Sequence, residues 1–150
     1  MKKILFAVAF LALMGCSKSD SGSTPNATAL QGKWRSQCIN DDRGSFRAVL
    51  LFSGKYFLSQ NESFPVPGCN GQYTVPLAEN GTFEIIGKDN REDTASGAQL
   101  INFVYDTKKL SYNIFVIDGK TLKVGDTTLG QDDKEETRPK VFATYTYEKQ

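Results

Sequence analysis

The sequence predicts an all-β domain, a small antiparallel up-and-down barrel of about eight strands, set behind an N-terminal signal helix and a flexible tether. Three observations predict it. Between Leu30 and the C-terminus, eight or nine short apolar or alternating runs recur at spacings of about 8 to 12 residues. Turn dipeptides punctuate them, namely Ser53-Gly54, Asn80-Gly81 and Asp118-Gly119. No stretch of useful length in that region carries a helical period.

The first element is a leader. Met1-Lys2-Lys3 precedes Ile4 to Met14, 11 apolar residues in a row, the form of a charged segment ahead of the apolar core of an export signal. The run is shorter than the about 20 residues a helix needs to cross a bilayer. It closes on Leu13-Met14-Gly15-Cys16, and these residues resemble a bacterial lipoprotein signal. The resemblance implies that residues 1–15 are removed, that the Cys16 thiol receives a diacylglyceryl group, and that its new amino group is acylated. Several acyl chains on one residue anchor a protein stably, where a single chain binds reversibly. Ser17 stands where an aspartate would resemble an inner-membrane retention signal. The expected location is therefore the bacterial cell envelope, lipid-anchored at the outer membrane.

Ser17 to Ala29 is rich in Ser, Thr, Asn and Gly and has no apolar face to bury, so it reads as a flexible tether. Its root-mean-square span is roughly 20 Å. Residues 30–150 are then the folded domain.

The first strand opens at Leu30-Gln31-Gly32-Lys33-Trp34 and runs to Ile39, with Trp34 the only tryptophan in the chain. Asn40 to Gly44 is a turn, Ser45 to Phe52 the next strand, and Ser53-Gly54 a tight hairpin into Lys55 to Gln60. Asn61 to Gly68 contains Pro65 and Pro67, which cannot donate to a ladder, and is expected to break the pairing. Gln72 to Val75 follows, and Asn80-Gly81 is read as a hairpin before Thr82 to Ile86. Lys88 to Gly97 is a charged loop, followed by strands at Ala98 to Tyr105, Leu110 to Ile117 and Lys120 to Val124. Gly125 to Lys140 is the longest interruption, and Val141 to Tyr147 alternates as the closing strand.

Composition narrows the chemistry. Histidine is absent, which removes the commonest general base and the commonest transition-metal ligand and argues against an enzyme. Without Lys2 and Lys3 the mature chain has 16 basic against 17 acidic side chains, so no basic stripe points to nucleic acid. The acidic run Asp126 to Glu136 lacks the spacing of a calcium loop and reads as solvated; no metal or other cofactor is expected. Of three cysteines, lipid on Cys16 would leave Cys38 and Cys69 to pair, the alternative being two free buried thiols.

Gly32-Lys33-Trp34 is similar to the G-x-W signature of the lipocalin and calycin barrels. In those families the tryptophan plugs one end of an eight-stranded barrel beneath an arginine from near the last strand. The resemblance implies a plug made of Gly32, Trp34 and Arg138. Leu30 to Trp34 also looks like the start of the avidin barrel, and Tyr147-Glu148-Lys149 resembles the ending of fatty-acid-binding proteins. Gly-x-Trp-x-Ser-x-Cys, Gly32 to Cys38, is similar to lipocalin-like bacterial lipoproteins of unassigned activity.

An eight-stranded barrel has room for packed side chains or one small ligand. Phe103, Tyr112, Ile114, Phe115, Tyr145 and Tyr147 are the residues expected to line such a pocket, or else simply to form core. Two functions remain open on the sequence. One is a lipid-anchored lipocalin-like protein that binds a small apolar ligand inside the barrel. The other is a protein-interaction barrel, such as an envelope protease or lysozyme inhibitor or an assembly factor, acting through loops such as Phe64 to Gly68.

Overall fold

The computed structural model describes residues 27–127 and 133–150. The leader, Cys16 and residues 17–26 of the expected tether lie outside the described residues, as do residues 128–132 of the acidic run. The folded body begins slightly earlier than expected, because Ala27–Leu30 forms a single helical turn, α1, at the end of what reads as tether. Leu30 is 1% exposed and its carbonyl oxygen accepts the Trp34 indole N–H at 2.7 Å. An apolar anchor and a satisfied indole donor therefore tie this turn to the barrel.

Nine strands follow among the described residues: β1 Gly32–Ser36, β2 Ile39–Asp41, β3 Gly44–Ser53, β4 Tyr56–Phe64, β5 Ala78–Lys88, β6 Gln99–Tyr105, β7 Leu110–Asp118, β8 Thr121–Val124 and β9 Tyr147–Lys149. From β3 onward each strand pairs antiparallel with the next, β9 pairs with β1, and β1 pairs with β3, which closes the sheet on itself. The result is an eight-stranded antiparallel up-and-down barrel plus β2. Closure removes the free edges that an open sheet would expose. β2 continues the course of β1 beyond Gln37-Cys38 and pairs with the other half of β3.

Side-chain alternation divides inside from outside. Trp34, Phe52, Phe57, Phe83, Ile101, Phe115, Leu122 and Tyr147 form the buried interior together with Leu30. Their rings make a nearly continuous train: Phe83 lies 5.1 Å from Phe52, Phe52 6.5 Å from Phe103, Phe103 4.8 Å from Phe57, and Phe57 5.2 Å from Tyr105. Trp34 is fully buried. Burial of a tryptophan is worth about 4–6 kcal/mol of gross transfer free energy. On the opposite face of β1, Arg35 crosses β3 to pair with the buried carboxylate of Glu62 on β4.

The expected hairpin at Asn80-Gly81 does not form; β5 runs straight through it. The dipeptide serves a close approach instead. A Cβ on Gly81 would lie 2.0 Å from the Val104 carbonyl oxygen on β6, and Asn80 Nδ2 donates to Asp106 Oδ2 at 2.5 Å in the β6–β7 turn. The break expected from Asn61 also comes later, since β4 pairs out to Phe64 before Pro65 and Pro67 end it. Val141 to Tyr147 is mostly irregular; β9 begins only at Tyr147, and Phe142 makes an isolated bridge to Gly125.

Candidate functional site

Trp34 sits at the end of the barrel where β1 begins, and the cation above it comes from the last strand. Lys149 Nζ lies 5.1 Å from the indole centroid and donates to the Ala29 carbonyl oxygen at 3.0 Å. The register explains the choice, because Trp34 and Lys149 are cross-strand partners. Arg138, the arginine expected in that role, is elsewhere. Its guanidinium donates to the carbonyl oxygens of Ile101 at 2.9 Å and Asn113 at 2.7 Å and to Asn102 Oδ1 at 2.6 Å, and lies 5.3 Å from the Tyr112 ring. Burial first, then the neighbouring Arg91 charge, lower its pKa from the usual arginine value.

Arg138 and Arg91 together fix the long β8–β9 connection against the barrel wall. Arg91 donates to the carbonyl oxygens of Arg138 at 3.0 Å and Pro139 at 2.8 Å, and is held by the buried carboxylate of Asp89 at 2.6 Å. Burial opposes ionisation of Asp89, but hydrogen bonds from the Arg91 side chain and backbone outweigh it and hold its pKa below the ordinary value. The Ala95 N–H adds a bond to the Lys140 carbonyl oxygen at 2.8 Å.

At the barrel end away from α1 the interior does not fill completely. A cavity of about 180 Å³, open to solvent on one side, lies among Leu50, Phe57, Phe103, Tyr105, Val124, Gly125, Tyr145 and Tyr147. Ser59, Ser111, Asn113 and Thr127 also line it, so the lining carries hydroxyl and amide groups beside the three tyrosine phenols. No charged side chain lines it among the described residues. Tyr145 and Tyr147 stand 5.6 Å apart, ring to ring. Burial, reinforced by Tyr145, pushes the Tyr147 phenol well above its usual range, so it stays neutral. No protein-family model, curated protein or solved structure matches this chain.

Of the six residues expected to line a pocket, Phe103, Tyr145 and Tyr147 do so. Phe115 is interior but belongs to the packed core below the cavity. Tyr112 and Ile114 face the other way, Tyr112 beneath Arg138 and Ile114 towards the Gly125–Pro139 contact. A single strand cannot turn Ile114 and Phe115 to the same side. Asn113 and Ser111 share the Phe115 side of β7 and line the cavity, positions that the strand's period-two alternation marks.

The other end-loop, between β4 and β5, is braced. Cys38 and Cys69 form a disulfide with Cα atoms 5.8 Å apart across a separation of 31 residues. Ser45 Oγ accepts the Cys69 N–H at 2.8 Å and donates to the Val66 carbonyl oxygen at 2.6 Å, and Asn40 Oδ1 accepts the Gly68 N–H at 2.8 Å. Among the described residues no group of three or more His, Cys, Asp or Glu is placed to hold a metal ion.

Proposed function

We propose that this chain is a lipid-anchored, lipocalin-like lipoprotein of the bacterial cell envelope, held at the outer membrane, that binds one small, largely apolar molecule in the open end of its barrel. The cavity of about 180 Å³ carries this reading. A cavity of about 150 Å³ accepts benzene, and sites for drug-sized ligands run from about 300 Å³ upward. The occupant is therefore of single-ring size, well short of a fatty acid. The Cys38–Cys69 disulfide supports the anchor, because it uses the other two cysteines and leaves Cys16 for acylation. We assign the chain no catalytic step.

Two variants test the two halves. In cells fed labelled palmitate, the wild-type chain takes up label and Cys16→Ser does not; equal labelling sinks the anchor. Val124→Phe adds a ring to the cavity wall, so the full chain should take up toluene and the variant should not. Equal uptake by both would sink the cavity.

A second reading rests on a different observation. Val66, Tyr73, Val75 and Leu77 are 47%, 44%, 42% and 59% exposed on the braced β4–β5 connection, which suits a protein partner. Pull-down from envelope extract with the wild type and a Tyr73→Asp/Leu77→Asp double variant separates the readings. A partner lost only in the variant favours this one.

A further inference from the structure

Among the cavity's polar groups, Asn113 is held in one orientation. Its Oδ1 accepts the Ile114 N–H at 2.7 Å and the Gly125 N–H at 2.9 Å. Backbone donors call for an acceptor, so the amide turns its oxygen to them; the Gly125 N–H also reaches the Ile114 carbonyl oxygen at 2.9 Å, and a flip would set the amide nitrogen against the Ile114 N–H. The oxygen is consumed by the wall. What remains for the cavity is the Nδ2 edge, on a lining residue that is 9% exposed. A pre-oriented donor on a cavity wall is placed to serve an acceptor carried by an occupant.

Gly125 belongs to the same device. A Cβ there would fall 2.4 Å from Asn113 Oδ1 and 2.8 Å from Pro139 Cβ, so glycine is what lets the β8 end close onto the amide. Arg138 completes it from behind, donating to the Asn113 carbonyl oxygen. The strand around the donor is therefore fixed on both sides.

The rest of the lining says what the acceptor is attached to. Phe57, Phe103 and Tyr105 offer ring faces and edges, which suit another ring. The described lining residues carry no charge, which suits a neutral ligand over a charged one that would give up part of its hydration on entry. Resting on the cavity-binding reading above, we infer that the occupant is an uncharged, single-ring molecule bearing a hydrogen-bond acceptor, and that Asn113 Nδ2 is the donor that fixes it.

Three probes of one size class test this on the full chain: benzamide (neutral acceptor), toluene (no acceptor) and benzoate (charged acceptor). Affinities come from titration followed by amide and side-chain NH2 resonances. The inference predicts benzamide at least about tenfold tighter than toluene, benzoate without measurable binding, and a shift of the Asn113 NH2 pair on benzamide addition only. Asn113→Asp keeps the acceptor for Ile114 and Gly125 and removes the donor, so it should erase the preference for benzamide. Should that variant fail to fold, the wild-type affinity ratio and the Asn113 resonances decide alone. Toluene and benzamide binding equally, with the Asn113 resonances unmoved, would overturn the inference and leave cavity binding standing. No binding by any of the three would overturn both.

Discussion

Lys149 Nζ stands 5.1 Å over the Trp34 ring while donating to the Ala29 carbonyl oxygen, so one ammonium closes the barrel end, its last strand and the helical turn before β1 at once. Truncating the fully buried indole in Trp34→Ala should cost about 3–5 kcal/mol. Lys149→Met keeps most of the stem and removes the charge, and should cost about 1 kcal/mol. Urea unfolding of both variants checks the order. A Lys149→Met cost equal to that of Trp34→Ala would mean the cation, not the burial, dominates the plug.

Opening the Cys38–Cys69 disulfide releases a constraint on a loop of 31 residues. In the chain-entropy model this costs about 3.5–4 kcal/mol. Cys69 also holds φ at 53°, an unfavourable backbone region for a residue with a Cβ, between Gly68 and Gly71 at 85° and 84°. Reduction should therefore lower the denaturation midpoint and speed amide exchange at residues 65–71 before it does so in β6 or β7. Uniform exchange along the chain would contradict this.

Arg138 is 3% exposed and supplies three hydrogen bonds to the β6–β7 wall. Arg138→Met preserves much of the volume but leaves the Ile101 and Asn113 carbonyl oxygens without that donor. The expected loss is about 2–4 kcal/mol. Because the same side chain fixes the connection that leads to Tyr145, toluene uptake should fall with stability. Unfolding free energies and uptake measured on one preparation would show whether the two losses travel together.

Asp89 gives the fold an acid limit. Its pKa is below the ordinary 3.8 in the folded state, so the unfolded chain binds the proton more readily as pH falls. Its contribution is complete above that ordinary value and is lost as pH drops through the lower folded value. Asp89→Asn should be less stable than wild type at pH 7, and the gap should narrow below about pH 4. A gap independent of pH between 2 and 7 would remove Asp89 from the account.

The barrel was legible because its signals are local and periodic. Strand runs, the Ser53-Gly54 and Asp118-Gly119 hairpins and the leading Trp34 all declare themselves over a few residues. Asn80-Gly81 misled because the same dipeptide answers two needs, a turn or the approach of two backbones, and only the neighbouring strand decides between them. The exchange of Arg138 for Lys149 above the indole has a similar origin. Cross-strand register is a property of the closed barrel, and it places Lys149 opposite Trp34. The cavity was half legible: period-two alternation could have excluded Tyr112 and Ile114 and admitted Ser111 and Asn113, whereas Ser59 and Thr127 join the site only through closure.

Whether the open end of the barrel is a binding site is tested most directly by native mass spectrometry of the chain purified from its own host, beside Val124→Phe. The account predicts one non-covalent molecule of single-ring size per wild-type chain, released on unfolding and absent from the variant. A wild-type chain that flies bare, or a variant carrying the same added mass, would contradict it.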